Sequence, residues 1–147
     1  MKLVIDTNIV ISALIKDGNT REIIVSGKFE LVSPDFVLEE TYKYEGYICE
    51  KAGLTKDEFE LLMALIFQKI TVVPSNEYEA RKGTAKKIMK QDIKDVPYVA
   101  CYLALKCDGI WTNDDDYEDV KEIEVVSTSE LSGLLQEGNE DVKDEKP

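Results

Sequence analysis

Two aspartates follow apolar runs that are predicted to be β-strands. Asp6 comes directly after Leu3-Val4-Ile5, and Asp114 comes shortly after the run that ends at Thr112. Ligands bind beyond the carboxyl ends of parallel strands, so the two carboxylates are expected to meet at one edge of a sheet. Either aspartate alone could instead cap the next helix or loop, which aspartate does often. Taken together, the pair predicts a site that works with carboxylates.

A third acid is expected on the helix that follows the second strand. Glu39 and Glu40 are adjacent, and successive residues of a helix are rotated by about 100°. Glu40 shares a face with apolar and aromatic side chains, whereas Glu39 does not. Burying a carboxylate on such a face is costly unless a cation binds it. The pattern therefore favours Glu40 as the inward acid, on a face made of Phe36, Val37, Glu40, Thr41 and Tyr44.

The other candidate acids lie in two short segments. Asp95 immediately precedes a helix with proline near its start, so N-capping competes with a functional role. Asp92 is a ligand, a supporting group or a turn residue. In the run of three aspartates that begins at Asp114, alternation puts Asp114 and Asp116 on similar sides and leaves Asp115 facing solvent.

The composition restricts the chemistry to carboxylates. The 147-residue chain contains no histidine, which excludes Ser-His-Asp triads, Cys-His pairs, imidazole ribonucleases and histidine-ligated zinc. Four or five gathered carboxylates would repel one another unless a divalent cation neutralised them. Oxygen ligands favour Mg²⁺ or Mn²⁺. Because these ions also bind phosphates, the predicted chemistry is phosphodiester hydrolysis.

Charge is distributed unevenly along the chain. The 18 basic and 30 acidic residues give a net charge of −12, which by itself argues against nucleic-acid binding. The segment from Arg81 to Lys94 is nevertheless basic, with six basic residues and one acid. A cation in the acidic site would bridge it to an anionic substrate. Lysines at the rim would then hold the phosphodiester backbone of the substrate, and these are Lys82, Lys86, Lys87 and Lys90.

The chain is predicted to form one α/β domain over residues 1–136, followed by an acidic, disordered tail over residues 137–147. Five short apolar runs alternate with helices, which implies a parallel sheet with helices on both faces. The strands are expected at Lys2–Ile5, Phe29–Val32, Ile70–Val73, Gly109–Thr112 and Ile123–Val126.

Helix boundaries are indicated by capping residues. A capping box at Thr55–Glu58 predicts a helix through Phe67. One helix is expected to open at Ser33-Pro34-Asp35 and to end near Tyr44, and another is expected over Asn76–Met89. A terminal helix is expected near Ser129–Gln136.

Cysteine usage and the amino terminus both favour a cytoplasmic location. The three cysteines are widely spaced, which argues against a disulfide framework and for a reducing compartment. Asp6 interrupts the apolar amino-terminal run, so neither a signal-peptide core nor a membrane span is expected there.

Four motifs together resemble the PIN domain family. They are VIDTN at the amino terminus, SPDFVLEE in the second α/β unit, DVPYVACYLAL at a later helix and IWTNDDDY after the fourth strand. They occur in the family's order and extend over almost the whole chain, to about Gln136. The resemblance implies a five-stranded parallel sheet and an Mg²⁺- or Mn²⁺-dependent ribonuclease that leaves 5′-phosphate and 3′-hydroxyl ends. Many small prokaryotic relatives are VapC-type toxins that a separately encoded antitoxin neutralises, and many form homodimers.

The resemblance also implies roles for individual residues. The family's acidic quartet corresponds to Asp6, Glu40, Asp95 and Asp114, with Asp116 as a fifth acid. The metal ligands would be Asp6, Asp95, Asp114 and Asp116. Asn8 and Thr112 match supporting polar positions, and Asp92 matches an additional acid of some relatives.

Three other functions compete with a nuclease. A phosphatase with Asp6 as nucleophile is disfavoured because Asn8 stands where that chemistry needs an acid. A phospho-accepting receiver domain is disfavoured because Asp6 lies on the first strand without an acid beside it. The main alternative is a PIN-like binding module of an RNA-processing or toxin-antitoxin assembly, with weak or absent nuclease activity.

Overall fold

A five-stranded parallel sheet forms the centre of the protein. The computed structural model describes residues 1–90 and 92–144. The strand order is β3-β2-β1-β4-β5, and every neighbouring pair is parallel. The strands are β1 (Lys2–Ile5), β2 (Glu30–Pro34), β3 (Ile70–Val73), β4 (Gly109–Trp111) and β5 (Val125–Val126). The predicted α/β fold with a parallel five-stranded sheet is therefore confirmed.

Helices connect the strands. They are α1 (Thr7–Ile15), α2 (Asn19–Val25), α3 (Phe36–Lys43), α4 (Glu45–Ala52), α5 (Lys56–Phe67), α6 (Lys82–Met89), α7 (Val96–Ala104) and α8 (Thr128–Asp144). Short 3₁₀ turns lie at Ser75–Glu77, Glu79–Arg81, Ile93–Asp95 and Asp115–Tyr117. Within the described ranges, no helix has both the length and the apolar character needed to cross a membrane.

Two hydrophobic cores lie on opposite faces of the sheet, because successive strand side chains point to opposite sides. Leu3 and Ile5 pack into one core with α1 to α5 and α8, whereas Val4 packs into the other with α6 and α7. All three β1 side chains are fully buried. Near-continuous apolar runs such as that of β1 are expected for strands covered on both faces.

The capping residues at the start of α1 and α5 act as the sequence indicates. Asp6 accepts a hydrogen bond from the backbone N–H of Ile9 at the start of α1. At α5, Thr55 Oγ1 accepts from Glu58 N and Glu58 Oε1 accepts from Thr55 N, which completes the predicted capping box.

One predicted helix was wrong in extent, and one helix was not predicted. The predicted helix over Asn76–Met89 is two 3₁₀ turns followed by α6. Tertiary hydrogen bonds explain this difference, because Tyr78 donates its hydroxyl to Asp35 Oδ1 and Ser75 donates its backbone N–H to Asp35 Oδ2. Helix α4, which was not predicted, starts directly after Tyr44 and is followed by Gly53, whose φ of +67° suits glycine.

The carboxyl-terminal helix is longer than expected. α8 continues beyond Gln136 to Asp144, so the structure describes helical backbone over most of the segment expected to be a disordered tail. Residues 145–147 lie outside the described residues. The domain boundary at residue 136 stays a prediction.

Candidate metal centre and active site

Asp6 is held at the carboxyl end of β1 by two hydrogen bonds. Its Oδ1 accepts from Ile9 N at 3.0 Å, and its Oδ2 accepts from Thr112 Oγ1 at 2.7 Å. Thr112 follows β4, the neighbour of β1, so the sheet itself brings the two residues together. Burial raises the pKa of Asp6 and outweighs the hydrogen bonds that lower it.

Thr112 also positions the next acid. Its Oγ1 accepts a hydrogen bond from Asp114 N at 3.0 Å, while Asp114 Oδ1 accepts from Asp116 N at 3.1 Å. Asp114 is half-buried and raises the pKa of Asp6 through its negative charge. A single threonine hydroxyl therefore couples the ends of β1 and β4 and sets the relative positions of two carboxylates.

Asp95 brings a buried carboxylate to the same place from another part of the chain. It ends the 3₁₀ turn Ile93–Asp95, is 5% exposed, and makes no side-chain capping bond to α7. One carboxylate oxygen from each of Asp92, Asp95 and Asp116 lies within 4.8 Å of the others. The Oδ2 atoms of Asp95 and Asp116 are both buried, and neither accepts a hydrogen bond while both acids are ionised. Such orphaned oxygens are costly in a folded protein unless a proton or a cation satisfies them.

The protonation of this pair reflects its crowding. Burial, followed by the hydrogen bond and charge of Asp116, raises the pKa of Asp95 to about 7. The hydrogen bond that Asp116 makes with Asp95 lowers the pKa of Asp116, so the proton that the pair shares lies on Asp95. Lys94 Nζ lies 3.5 Å from Asp116 Oδ2 and is the nearby positive charge.

A cavity of about 210 Å³ opens among these groups. Glu40 lines it from α3, while Glu39 is exposed to solvent. Asp116 and Asp92 lie next to the cavity, because their carboxylates are close to that of Asp95, which lines it. The lining residues are Asp6, Thr7, Asn8, Glu40, Tyr44, Lys94, Asp95, Tyr98 and Asp114. The four acids expected to be catalytic thus reach one cavity from four separate segments of the chain.

The sequence of the chain matches one known protein family. The sequence profile described as PIN domain matches residues 4–132, a range that contains every acid of the site. The chain belongs to the PIN domain family. The fold is shared with a solved structure titled "Toxin-antitoxin complex from Klebsiella pneumoniae", at a TM-score of 0.61 and 15% sequence identity. The similarity covers 86% of this chain and 97% of that one. No curated protein sequence matches the chain.

The acidic centre of this PIN domain suits a hard divalent cation. Its donors are all oxygens, which Mg²⁺ and Mn²⁺ prefer. Two of those oxygens, Asp95 Oδ2 and Asp116 Oδ2, are buried and accept no hydrogen bond while both acids are ionised, and Lys94 is the cation near Asp116. Asp6, Asp95 and Asp114 line the cavity and could bind an ion there. Asp116, which has a carboxylate oxygen within 4.8 Å of one of Asp95, could be a further ligand.

Several residues of the PIN domain site were missed by the sequence analysis. Tyr98 contacts Thr7 twice, because its hydroxyl accepts from Thr7 N at 3.2 Å and lies 2.8 Å from Thr7 Oγ1. Tyr98 comes one helical turn after Asp95, and this spacing could have revealed it. Lys94 was passed over although it adjoins Asp95. The hydroxyl of Tyr117 is buried without a hydrogen-bond partner, and nothing in the local sequence signals this.

The four lysines expected at the rim do not line the acidic cavity itself. Lys86 and Lys90 line a different cavity, of about 350 Å³, whose other lining residues are Met89, Ile93 and Val96. Lys82 Nζ lies 5.6 Å from the centre of the Tyr78 ring, and Lys87 is exposed. All four lysines are described by the structure, and none of them lines the acidic cavity. Lys94 does so instead.

Proposed function

We propose that this PIN domain is a divalent-metal-dependent endoribonuclease that hydrolyses RNA phosphodiester bonds, as in a VapC-type toxin. The observation that carries the proposal is the convergence of Asp6, Glu40, Asp95 and Asp114 on one cavity in a chain without histidine. The Mg²⁺ or Mn²⁺ ion would neutralise the carboxylates, orient the scissile phosphate and activate water.

The residues of the site have distinct tasks in this proposal. Asp6, Asp95, Asp114 and Asp116 hold the ion, and Thr112 keeps the Asp6 carboxylate in position through its 2.7 Å hydrogen bond. Groups that orient ligands in this way commonly affect metal affinity about tenfold to hundredfold.

The remaining residues would act on the substrate and the proton. Glu40 lines the cavity and would take the proton of the attacking water. Asn8 lies at the mouth of the same cavity and would contact the RNA. Asp92 would support Asp95 and Asp116, whose oxygens it approaches.

The proposal includes partners. The similar structure is titled as a toxin-antitoxin complex, and we infer that a separately encoded antitoxin binds this protein as well. Homodimer formation and a cytoplasmic location are also part of the proposal, and light scattering would measure the oligomeric state. The basic surface of Lys82, Lys86, Lys87 and Lys90 is proposed to contact the RNA backbone outside the acidic cavity.

Cleavage of RNA tests the proposal directly. The purified protein should cleave RNA with Mg²⁺ or Mn²⁺, stop when a chelator is added, and lose activity in Asp6→Asn. Asp119→Asn is a matched control, since Asp119 is an exposed aspartate that does not line the acidic cavity. Equal cleavage by Asp6→Asn and the parent protein would indicate a contaminating nuclease and refute the enzyme assignment.

A binding module without nuclease activity is the alternative function. The contact between Lys94 and Asp116 favours this alternative, because the lysine ammonium group already offsets part of the negative charge that would bind a metal. In that case the parent protein binds RNA or a partner protein without cleaving RNA, and Asp6→Asn binds as well as the parent. Metal-dependent cleavage by the parent excludes this alternative.

A further inference from the structure

Two further depressions adjoin the acidic cavity along one side of α1 and are linked to it through shared lining residues. A neighbouring depression of about 200 Å³ shares Asn8 and Asp114 with the acidic cavity. A third depression, of about 430 Å³, shares Ser12 with that neighbour. We name the second and third depressions together the α1 groove. It begins at Asn8 and extends past Ser12 to Lys16.

The α1 groove is electrically unlike the rest of this acidic protein. Its lining residues are all described by the structure, and only Asp114 and Lys16 among them are charged. Asp114 stands at the junction with the acidic cavity, so the remainder of the groove carries a single charge, which is positive. A polyanion with its scissile phosphate in the acidic cavity would meet no further carboxylate lining this path, in a chain whose net charge is −12.

Lys16 is positioned to receive an anion. It follows α1 directly, and its aliphatic chain lies over Gly18, where a Cβ atom would be 3.5 Å from Lys16 Cε. Among residues 1–90 and 92–138, whose side chains the structure describes, no carboxylate lies within 4.0 Å of Lys16 Nζ. Its ammonium group is therefore free to contact a phosphate.

The wall of the groove opposite α1 is held rigid. Asn113 donates its amide to Thr128 Oγ1 at 3.0 Å, and its carbonyl accepts from Thr128 N at 3.2 Å. Trp111 Nε1 donates to the same Thr128 hydroxyl at 3.0 Å. Both Asn113 and Thr128 line the α1 groove, so these bonds fix its shape before a ligand arrives.

The length and polarity of the groove fit a few unpaired nucleotides. From Asn8 to Lys16, α1 rises by about 12 Å, which is the length of roughly three to four stacked nucleotides at about 3.4 Å each. Serine, threonine and asparagine side chains hydrogen-bond the edges of bases, which only an unpaired strand presents freely. The polar lining residues are Asn8, Ser12, Asn19, Thr20, Asn113 and Thr128.

We propose that the α1 groove binds the single-stranded RNA that flanks the scissile phosphate, with Lys16 contacting a backbone phosphate. This inference rests on the proposed ribonuclease function, to which it adds the path that the strand takes beyond the scissile phosphate. The α1 groove and the basic surface would contact different parts of the RNA, because Lys86 and Lys90 line a different cavity.

Two substitutions in the groove provide the test. Lys16→Ala removes the phosphate contact, and Ser12→Trp fills the junction between the two depressions from an exposed helical position. The matched controls are Lys28→Ala and Ala64→Trp, which change exposed residues that do not line the groove. Circular dichroism melts check that all four variants fold.

The measurements use one single-stranded RNA that fills the groove and one dinucleotide that reaches only the acidic cavity. Lys16→Ala should raise KM for the long RNA about threefold to tenfold and leave the dinucleotide unchanged. It should also lower the salt dependence of RNA binding by about one unit of slope, measured by fluorescence anisotropy with Ca²⁺ in place of Mg²⁺. Ser12→Trp should impair only the long RNA.

The outcomes separate the groove from the enzymatic activity. If the parent cleaves both RNAs and both groove variants keep the parental KM for the long RNA, the groove proposal is wrong. If the parent binds the long RNA through Lys16 but cleaves neither RNA, the groove is supported and the nuclease function is wrong. Absence of both binding and cleavage overturns both proposals.

Discussion

Replacing Asp95 with asparagine should stabilise the metal-free protein at neutral to basic pH. Asp95 is 5% exposed and its carboxyl pKa is raised to about 7, from an ordinary value of 3.8, by burial and by Asp116. The folded state therefore binds this proton more tightly than the unfolded state does. Consequently, the free energy of unfolding falls as pH rises from about 4 to about 7, where Asp95 must ionise beside Asp116.

The size of this effect follows from the two shifts. The raised pKa of Asp95 corresponds to at most about 4 kcal/mol above pH 7. The lowered pKa of Asp116 acts in the opposite direction, because its carboxylate is stabilised by the proton on Asp95. We therefore expect Asp95→Asn, which resembles the protonated acid, to raise the free energy of unfolding by about 2 kcal/mol near pH 8.

Urea denaturation in the presence of a chelator, at about pH 5 and about pH 8, measures this difference. Near pH 5 Asp95 is protonated in the folded state but mostly ionised in the unfolded state, so about two fifths of the effect is present and the variant should be more stable than the parent by only about 0.8 kcal/mol. Asp119→Asn, at an exposed aspartate, should show no pH-dependent difference. A variant no more stable than the parent at the higher pH, or a gain of equal size at both pH values, would refute the reasoning.

Four further results are expected. Thr112→Val removes the hydrogen bond to Asp6 and the acceptor for Asp114, so metal affinity measured by calorimetry should fall about tenfold or more, while Thr112→Ser should largely restore it. Phe59→Ala, at a fully buried core position, should cost about 3 to 5 kcal/mol in urea melts, compared with less than about 0.5 kcal/mol for Leu61→Ala at 66% exposure. Thr55→Ala should cost about 1 kcal/mol through the lost capping box of α5, and an unchanged denaturation midpoint would contradict that role. Mg²⁺ at a hundred times its dissociation constant should raise the free energy of unfolding of the parent by about 2.7 kcal/mol, and a chelator should reverse this gain. An unfolding free energy that does not change with Mg²⁺ would contradict metal binding.

The sheet could be predicted because its strands carry a strong local signal. The runs at Lys2–Ile5 and Ile70–Val73 are apolar and bounded by polar or proline residues, and the structure places β1 and β3 at those limits. The capping signals at Asp6 and Thr55 were similarly reliable, since a cap depends on residues only three positions apart. The order of the strands within the sheet has no such local signal, because it depends on contacts between distant segments.

Distant contacts also explain the errors. The turns before α6 are set by the bonds from Tyr78 and Ser75 to Asp35, about forty residues away, which no window of the local sequence contains. The basic segment was expected to surround the acidic cavity, but sequence spacing cannot show which side of a helix faces a cavity formed by other elements. The structure places Lys94 there and turns Lys86 and Lys90 towards a separate cavity.

The α/β class, the family resemblance and the restriction of any catalysis to carboxylates could be predicted from residues close together in the chain, because they follow from composition, short-range periodicity and motif order. How the acids share their charge depends on the folded arrangement. The raised pKa of Asp95, its crowding against Asp116 and the α1 groove all arise from side chains far apart in the chain that folding brings within a few ångströms. Burial and electrostatic interaction depend on that proximity in space rather than on position in the sequence.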